Sequence, residues 1–182
     1  NIDKEHLDYY KNFNNLLEAF KKFIEKTPPI GKSFLFLDDL NIRKIIKKLK
    51  TKNYYTYGFH KDSNYQVCNT NYKINYTKFD LKIKNAVSKN IYIKNIYLNL
   101  IGRHNVLNAA AAISLCLSLG LKENVIKKAL KNFSGVQRRL TKVFKKNKVE
   151  FYDDYAHHPT EIESVLEGVR TVAAKRKIIS VF

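Results

Sequence analysis

The sequence predicts an α/β fold to which antiparallel strands have been added. Three observations predict it. Helical and strand periods alternate over residues 13–59, residues 64–100 turn to β-branched and aromatic alternation, and helix and strand patterns both return after Gly102. The run FNNLLEAFKKFIEK over 13–26 sets Phe13, Leu16, Leu17, Phe20, Phe23 and Ile24 on one helical stripe, and Pro28, Pro29 and Gly31 stop it. SFLFL at 33–37 reads as a short buried strand closed by Asp38 and Asp39; residues 41–50 return to the helical period, and 54–59 (YYTYGF) form the next strand.

The runs 65–69, 72–83 and 91–100 read as antiparallel strands or hairpins. Residues 105–119 form a helix whose Ala109–Ala112 run permits close packing, with Gly120 placed as its C′ residue, and a second helix follows over 122–133. Gly135 opens a linker. Strands are expected at 140–146 and 148–154. A capping box of Thr160 with Glu163 predicts a helix over 161–174, and 177–182 returns to a strand pattern.

The chain has 182 residues, enough for one large domain or one domain and part of another. No apolar run approaches the roughly 18–20 residues that cross a bilayer; the longest, 106–120, is broken by Asn108, Ser114 and Ser118. No signal-peptide pattern is present, and the separated Cys68 and Cys116 fit a cytoplasmic protein with reduced thiols. There is no methionine, the chain starts at Asn1 and it ends on an apolar run, so we expect an internal segment of a longer protein, with cut sheet edges and poor solubility. The formal net charge is +18. Clustered lysines would point to nucleic acid, but here they are spread along a chain rich in Lys, Asn, Ile and Tyr, the drift an AT-rich coding sequence produces. A nucleic-acid-binding module is the lesser reading.

Four segments can carry chemistry. Residues 31–33, GKS, imitate the end of a phosphate loop, but Lys26 stands where the pattern needs glycine, and the segment leaves a helix rather than opening one. The first real candidate, NIDKEHLDYY at 1–10, offers Asp3, Glu5, His6 and Asp8 as metal ligands, although a polar helix entry looks the same. In GRHNVLN at 102–108, a glycine precedes a helix N-terminus, and Asn105 and Asn108 can share a face; their amides suit a purine edge or simply cap the helix, and the sequence leaves both open. Arg138 and Arg139 in FSGVQRRL offer forked donors to phosphate, against the commoner reading of a solvated basic turn. In DDYAHHPTE at 153–161 the adjacent His157 and His158 diverge and no CxxC or HExxH pattern accompanies them, which argues against zinc and for a polar substrate pocket.

In this order, the segments NIDKEHLDYY, YYTYGF, GRHNVLNAAAA, FSGVQRRL and DDYAHHPTE resemble the Mur ligases of peptidoglycan synthesis, most closely their alanine-adding branch. The resemblance covers nearly the whole chain. It implies part of a central P-loop-type ATPase-like domain over 1–136 and the start of a Rossmann-like, amino-acid-binding C-terminal domain over 137–182. It implies ATP and Mg2+ as cofactors, UDP-N-acetylmuramate and L-alanine as substrates, and an acyl-phosphate route to an amide. A tripeptide-accepting recycling ligase is the alternative within the family. By resemblance, His6 is a magnesium ligand and His104, Asn105 and Asn108 belong to the nucleotide site, with Asn105 nearest adenine. Arg138 and Arg139 are hinge arginines acting in catalysis. Asp154 holds nucleotide, Tyr155 and His157 hold the amino acid, and His157 is also counted as catalytic. The phosphate loop and a second magnesium ligand are expected before Asn1, and substrate-binding arginines after Phe182. Phe20 stands where some relatives carry a carbamylated lysine, so no such role passes to Lys21 or Lys22 beside it. By itself the chain is expected to be inactive.

Overall fold

A computed structural model describes residues 1–84 and 89–181. The elements run α1 (Leu7–Tyr10), α2 (Phe13–Glu25), β1 (Ser33–Phe36), α3 (Leu40–Ile46), β2 (Tyr54–Gly58), β3 (Tyr65–Tyr72), β4 (Thr77–Ile83), β5 (Ile91–Leu98), α4 (Arg103–Ser118), α5 (Glu123–Asn132), β6 (Thr141–Lys146), β7 (Val149–Asp153) and α6 (Pro159–Ala173). The α/β class with added antiparallel strands is borne out. One sheet has the order β1-β2-β3-β4-β5, parallel from β1 to β3 and antiparallel from β3 to β5.

The parallel step from β2 to β3 is made by the short segment 59–64, without a crossover helix. That is feasible because the two strands overlap only at Tyr57–Tyr65 and Gly58–Gln66. Asn64 fastens the segment: its Oδ1 accepts from Thr56 N at 2.8 Å and Thr56 Oγ1 at 2.9 Å, while its own N donates back to Thr56 Oγ1.

Helices cover the sheet on both faces. The α2 and α3 side buries Leu16, Ile24, Ile42 and Ile45 with Leu35, and Ile2 joins that cluster. On the other face α4 and α5 place Val106, Ala110, Ile113 and Ile126 against Val67, Phe79, Leu81, Ile93, Ile96 and Leu98. The alanines let α4 lie close to the strands, as its small residues predict. Gly120 (φ 82°) ends it: Gly120 N donates to Leu117 O and Leu121 N to Cys116 O, the pairing of a Schellman motif.

The opposite face of β4 and β5 is solvated, and Lys78 and Lys82 lie over the rings of Tyr97 and Tyr92. At its centre Asp80 pins two left-handed residues, accepting from Asn69 Nδ2 and Asn95 N, each at 2.8 Å. Partial burial acts to raise its pKa, but these hydrogen bonds and Lys78 and Lys94 outweigh it, so the carboxyl sits below its ordinary value. A depressed carboxylate contributes stability above its unfolded value of about 4 and loses it as pH falls through the folded one. Asp80→Asn should therefore cost about 0.5–1 kcal/mol near neutrality. The melting-temperature gap to wild type should close as pH falls from 7 to 3; a gap independent of pH would refute the assignment.

Two expectations are corrected. The helix α6 starts at Pro159, not after Thr160. Its N-cap is His158, whose Nδ1 accepts from Thr160 N at 3.3 Å, and Glu161 reaches back to His157 N at 3.3 Å. Proline at the first helical position has its φ already set, so His158 caps the helix and Glu161 holds the preceding amide, in place of Thr160 and Glu163. The 177–181 run is not a strand: Ile179 and Val181 are exposed, and among the described residues no neighbouring strand offers the ladder partners it needs. Phe182 lies outside the described residues. Among the described residues no helix is long and apolar enough to cross a membrane, and Cys68 and Cys116 are unpaired thiols.

Candidate functional site

The carboxyl ends of β1 and β2 carry the first part of the site, where ligands of open α/β sheets commonly bind. Just past β1, Asp38 collects three donors: His60 N at 2.7 Å, Phe59 N at 3.1 Å and Arg103 Nη2 at 3.0 Å. Gly58 lies beneath it with φ 143°, and a Cβ there would stand 2.4 Å from Asp38 Oδ1. The next residue, Asp39, caps α3 through Ile42 N at 2.8 Å and also accepts from Ile2 N at 3.1 Å. Asn41 Nδ2 donates to Ile2 O at 3.0 Å. Together they hold the first residues across the end of β1.

That anchoring presents His6, exposed and left-handed at φ 54°. Asp3, Glu5, His6 and Asp8 do not converge: among the described residues no group of three or more His, Cys, Asp or Glu could hold a metal ion. A single exposed imidazole fits Mg2+ only as one ligand among waters and phosphate oxygens, the way this ion is usually bound.

The amino end of α4 forms the second part. Its N-cap, Gly102, has φ 96° and offers no side chain to the first turn. His104 folds back over Gly102, and its Nδ1 is buried with no hydrogen-bond partner. Burial pulls the imidazole pKa down; Asp154 and Glu167 act to raise it and Arg139 adds to the lowering. Asn105 Nδ2 donates to Ile101 O at 2.8 Å, which leaves its Oδ1 for a ligand, and Asn108 is exposed one turn on. The amide donor is thus spent on local backbone and the acceptor is not.

The third part joins residues 138–140 to 154–158. Asp154 uses both oxygens on backbone, accepting from Leu140 N at 2.7 Å and Ala156 N at 2.8 Å, and Tyr155 N donates to Arg138 O at 2.8 Å. Arg138 lies over the Tyr155 ring at 4.8 Å, and Tyr155 meets His157 edge-on at 5.4 Å. The charges are loosely held: Arg138 Nε is 3.5 Å from Asp153 Oδ2, and Arg139 Nη1 is 3.7 Å from Glu161 Oε1. All four side chains are at least a third exposed, so an incoming anion can displace these carboxylates at little cost.

The three parts meet. Gly168 of α6 touches Gly102, where a Cβ on Gly168 would stand 3.0 Å from Gly102 Cα, and His158 Nε2 lies 3.9 Å from Glu5 Oε1. His104, Asn105, Arg139 and Asp154 thus share one end of the molecule with the segment bearing His6. The sequence reading missed Asp38, Arg103 and Gly168, and it named Glu5 as a metal ligand rather than as the neighbour of His158. A glycine closing a strand opposite an aspartate closing another was the available signal for Asp38; Arg103 was visible inside GRHN but had no partner until the fold supplied one.

Residues 1–116 match the Mur ligase middle domain, and residues 138–182 match the Mur ligase glutamate ligase domain. The chain belongs to the Mur ligase family. Over its full length this Mur ligase chain is 47 % identical to the UDP-N-acetylmuramate–L-alanine ligase of Pelagibacter ubique and 42 % identical to that of Brachyspira hyodysenteriae. It spans 39 % and 38 % of those proteins' lengths. Its fold superposes on the UDP-N-acetylmuramate-alanine ligase MurC of Thermotoga maritima with a TM-score of 0.72 at 27 % identity, covering 94 % of this chain and 37 % of that one. MurF of Acinetobacter baumannii shares the fold at 22 % identity and the same TM-score, over 93 % of this chain and 36 % of that one.

Proposed function

We propose that this chain is the nucleotide- and amino-acid-handling part of a cytoplasmic ligase that uses ATP to join L-alanine to UDP-N-acetylmuramate. One observation carries the reading: Gly168 of α6 packs on Gly102 and His104, which brings the helix that follows the Asp154–His158 loop against the amino end of α4. The identity to alanine-adding relatives over the whole chain supports L-alanine over a tripeptide as acceptor.

The chemistry divides between the two halves, taken as 1–136 and 137–182. A carboxylate must be activated by phosphoryl transfer before a neutral amine can attack it, so the site must gather anions and keep water out. The amino end of α4, with its unpaired N–H groups, receives the nucleotide, and Asn105 Oδ1 accepts from the base. Asn108 adds a second amide. Arg138 and Arg139 exchange their carboxylates for phosphate oxygens and neutralise charge that develops on transfer. Asp154 holds the loop that presents Tyr155 and His157 to the amino acid. His6 contributes one ligand to Mg2+, which neutralises phosphate charge when bound.

The test uses the full-length protein with ATP, Mg2+ and UDP-N-acetylmuramate, following phosphate release. L-Alanine should drive turnover, and the muropeptide tripeptide should drive it at least tenfold more slowly. Faster turnover with the tripeptide would convert the reading to the recycling ligase. No release with either acceptor, together with salt-dependent binding to single-stranded nucleic acid, would replace it with the binding-module reading.

A further inference from the structure

We propose that Arg103, anchored by Asp38, is the residue that positions the nucleotide-binding end of α4. The inference rests on the ligase reading above and adds a residue pair to it. The first turn of α4 carries His104 and Asn105, and Asn108 follows one turn later, yet this turn has no side-chain cap because Gly102 is its N-cap. Val106 packs the turn into the core, and the polar tie to the ends of β1 and β2 is Arg103. Its guanidinium lies 3.8 Å from the centre of the Phe59 ring, while Nη2 bonds Asp38 Oδ2 at 3.0 Å.

Asp38 is a rigid anchor. Its two oxygens are already oriented by Phe59 N and His60 N, its side chain is 15 % exposed, and it fills the space that a Cβ on Gly58 would need. The pair therefore links the carboxyl ends of β1 and β2 to the helix that must face the nucleotide, across 65 positions of sequence. Arginine suits the task because a planar cation can lie flat on a ring and direct an edge donor at a carboxylate together; a lysine ammonium is a point charge without that plane. Arg103 itself need not touch the nucleotide. Small displacements of a binding group are costly when the ligand requires several contacts at once.

The experiment compares the full-length wild type with Arg103→Gln, Arg103→Lys, Asp38→Asn and the double variant Asp38→Asn/Arg103→Gln. It reads the Kd of a fluorescent ADP analogue, the KM for ATP and for L-alanine, kcat, and the melting temperature. Because Arg103 is half exposed, Arg103→Gln should keep the fold. It should raise the nucleotide Kd and the ATP KM about tenfold, with kcat within about threefold and the L-alanine KM unchanged. Arg103→Lys should fall between, and the double variant should bind no worse than the poorer single one. Normal melting of Arg103→Gln with an unchanged nucleotide Kd overturns the inference, as do equal rises in both KM values or effects that multiply in the double variant. A wild type that binds no nucleotide overturns the ligase reading with it, and so tells the two failures apart.

Discussion

Gly58→Ala should destabilise the full-length protein by on the order of 3 kcal/mol, read as a lower urea midpoint with little change in slope. Two costs combine. The backbone at φ 143° is a conformation that residues with a Cβ adopt only under strain. The new methyl would also stand 2.4 Å from Asp38 Oδ1. Asp38 cannot swing aside freely, because the same carboxylate holds Phe59 N, His60 N and Arg103. Moving it exchanges a steric clash for lost hydrogen bonds at the ends of two strands. An alanine variant within about 0.5 kcal/mol of wild type would contradict this account of the β1–β2 end.

The largest effect on activity is expected at Asp154. Asp154→Ala should lower kcat/KM about a hundredfold and stability by about 2 kcal/mol. Both carboxylate oxygens are spent on backbone amides, Leu140 N and Ala156 N. The segment they hold is strained: Arg138 and Leu140 are both left-handed, at φ 57° and 50°. Without the carboxylate two half-buried amides lose their acceptor, the segment relaxes, and Arg138 and Arg139 lose their place relative to the Tyr155 loop. Asp154→Asn keeps one acceptor but turns an amide NH2 toward a backbone N–H, so it should fall between wild type and alanine. Steady-state phosphate release and urea denaturation check both quantities. An alanine variant with wild-type kcat/KM would show that this tether is dispensable.

Much of the site was legible because its residues lie in short local runs. GRHNVLN announced a helix N-terminus by its glycine and closely spaced amides, and α4 begins there. Asn105 shows the limit of such reading. Spacing could not decide between capping and recognition, because the choice depends on where Ile101 O lies, and in the structure the amide serves it with its donor alone. The cap of α6 failed for a related reason. Thr160 and Glu163 fit the capping pattern in sequence, but Pro159 starts the helix earlier and gives the role to His158 and Glu161.

The amino-acid sequence by itself determined the α/β class, the helix stops at Gly120 and at the Pro28–Gly31 turn, the antiparallel addition and the segments that bear the candidate site. These follow from periodicity and backbone restriction, which act over a few residues. Only the tertiary structure decided that Asp38 meets Arg103, that Gly102 meets Gly168, that Glu5 approaches His158, and that 177–181 stays irregular. The contacts join groups far apart in the chain and the last depends on a neighbour strand that is missing among the described residues, and a local pattern carries no record of which distant partner packing supplies.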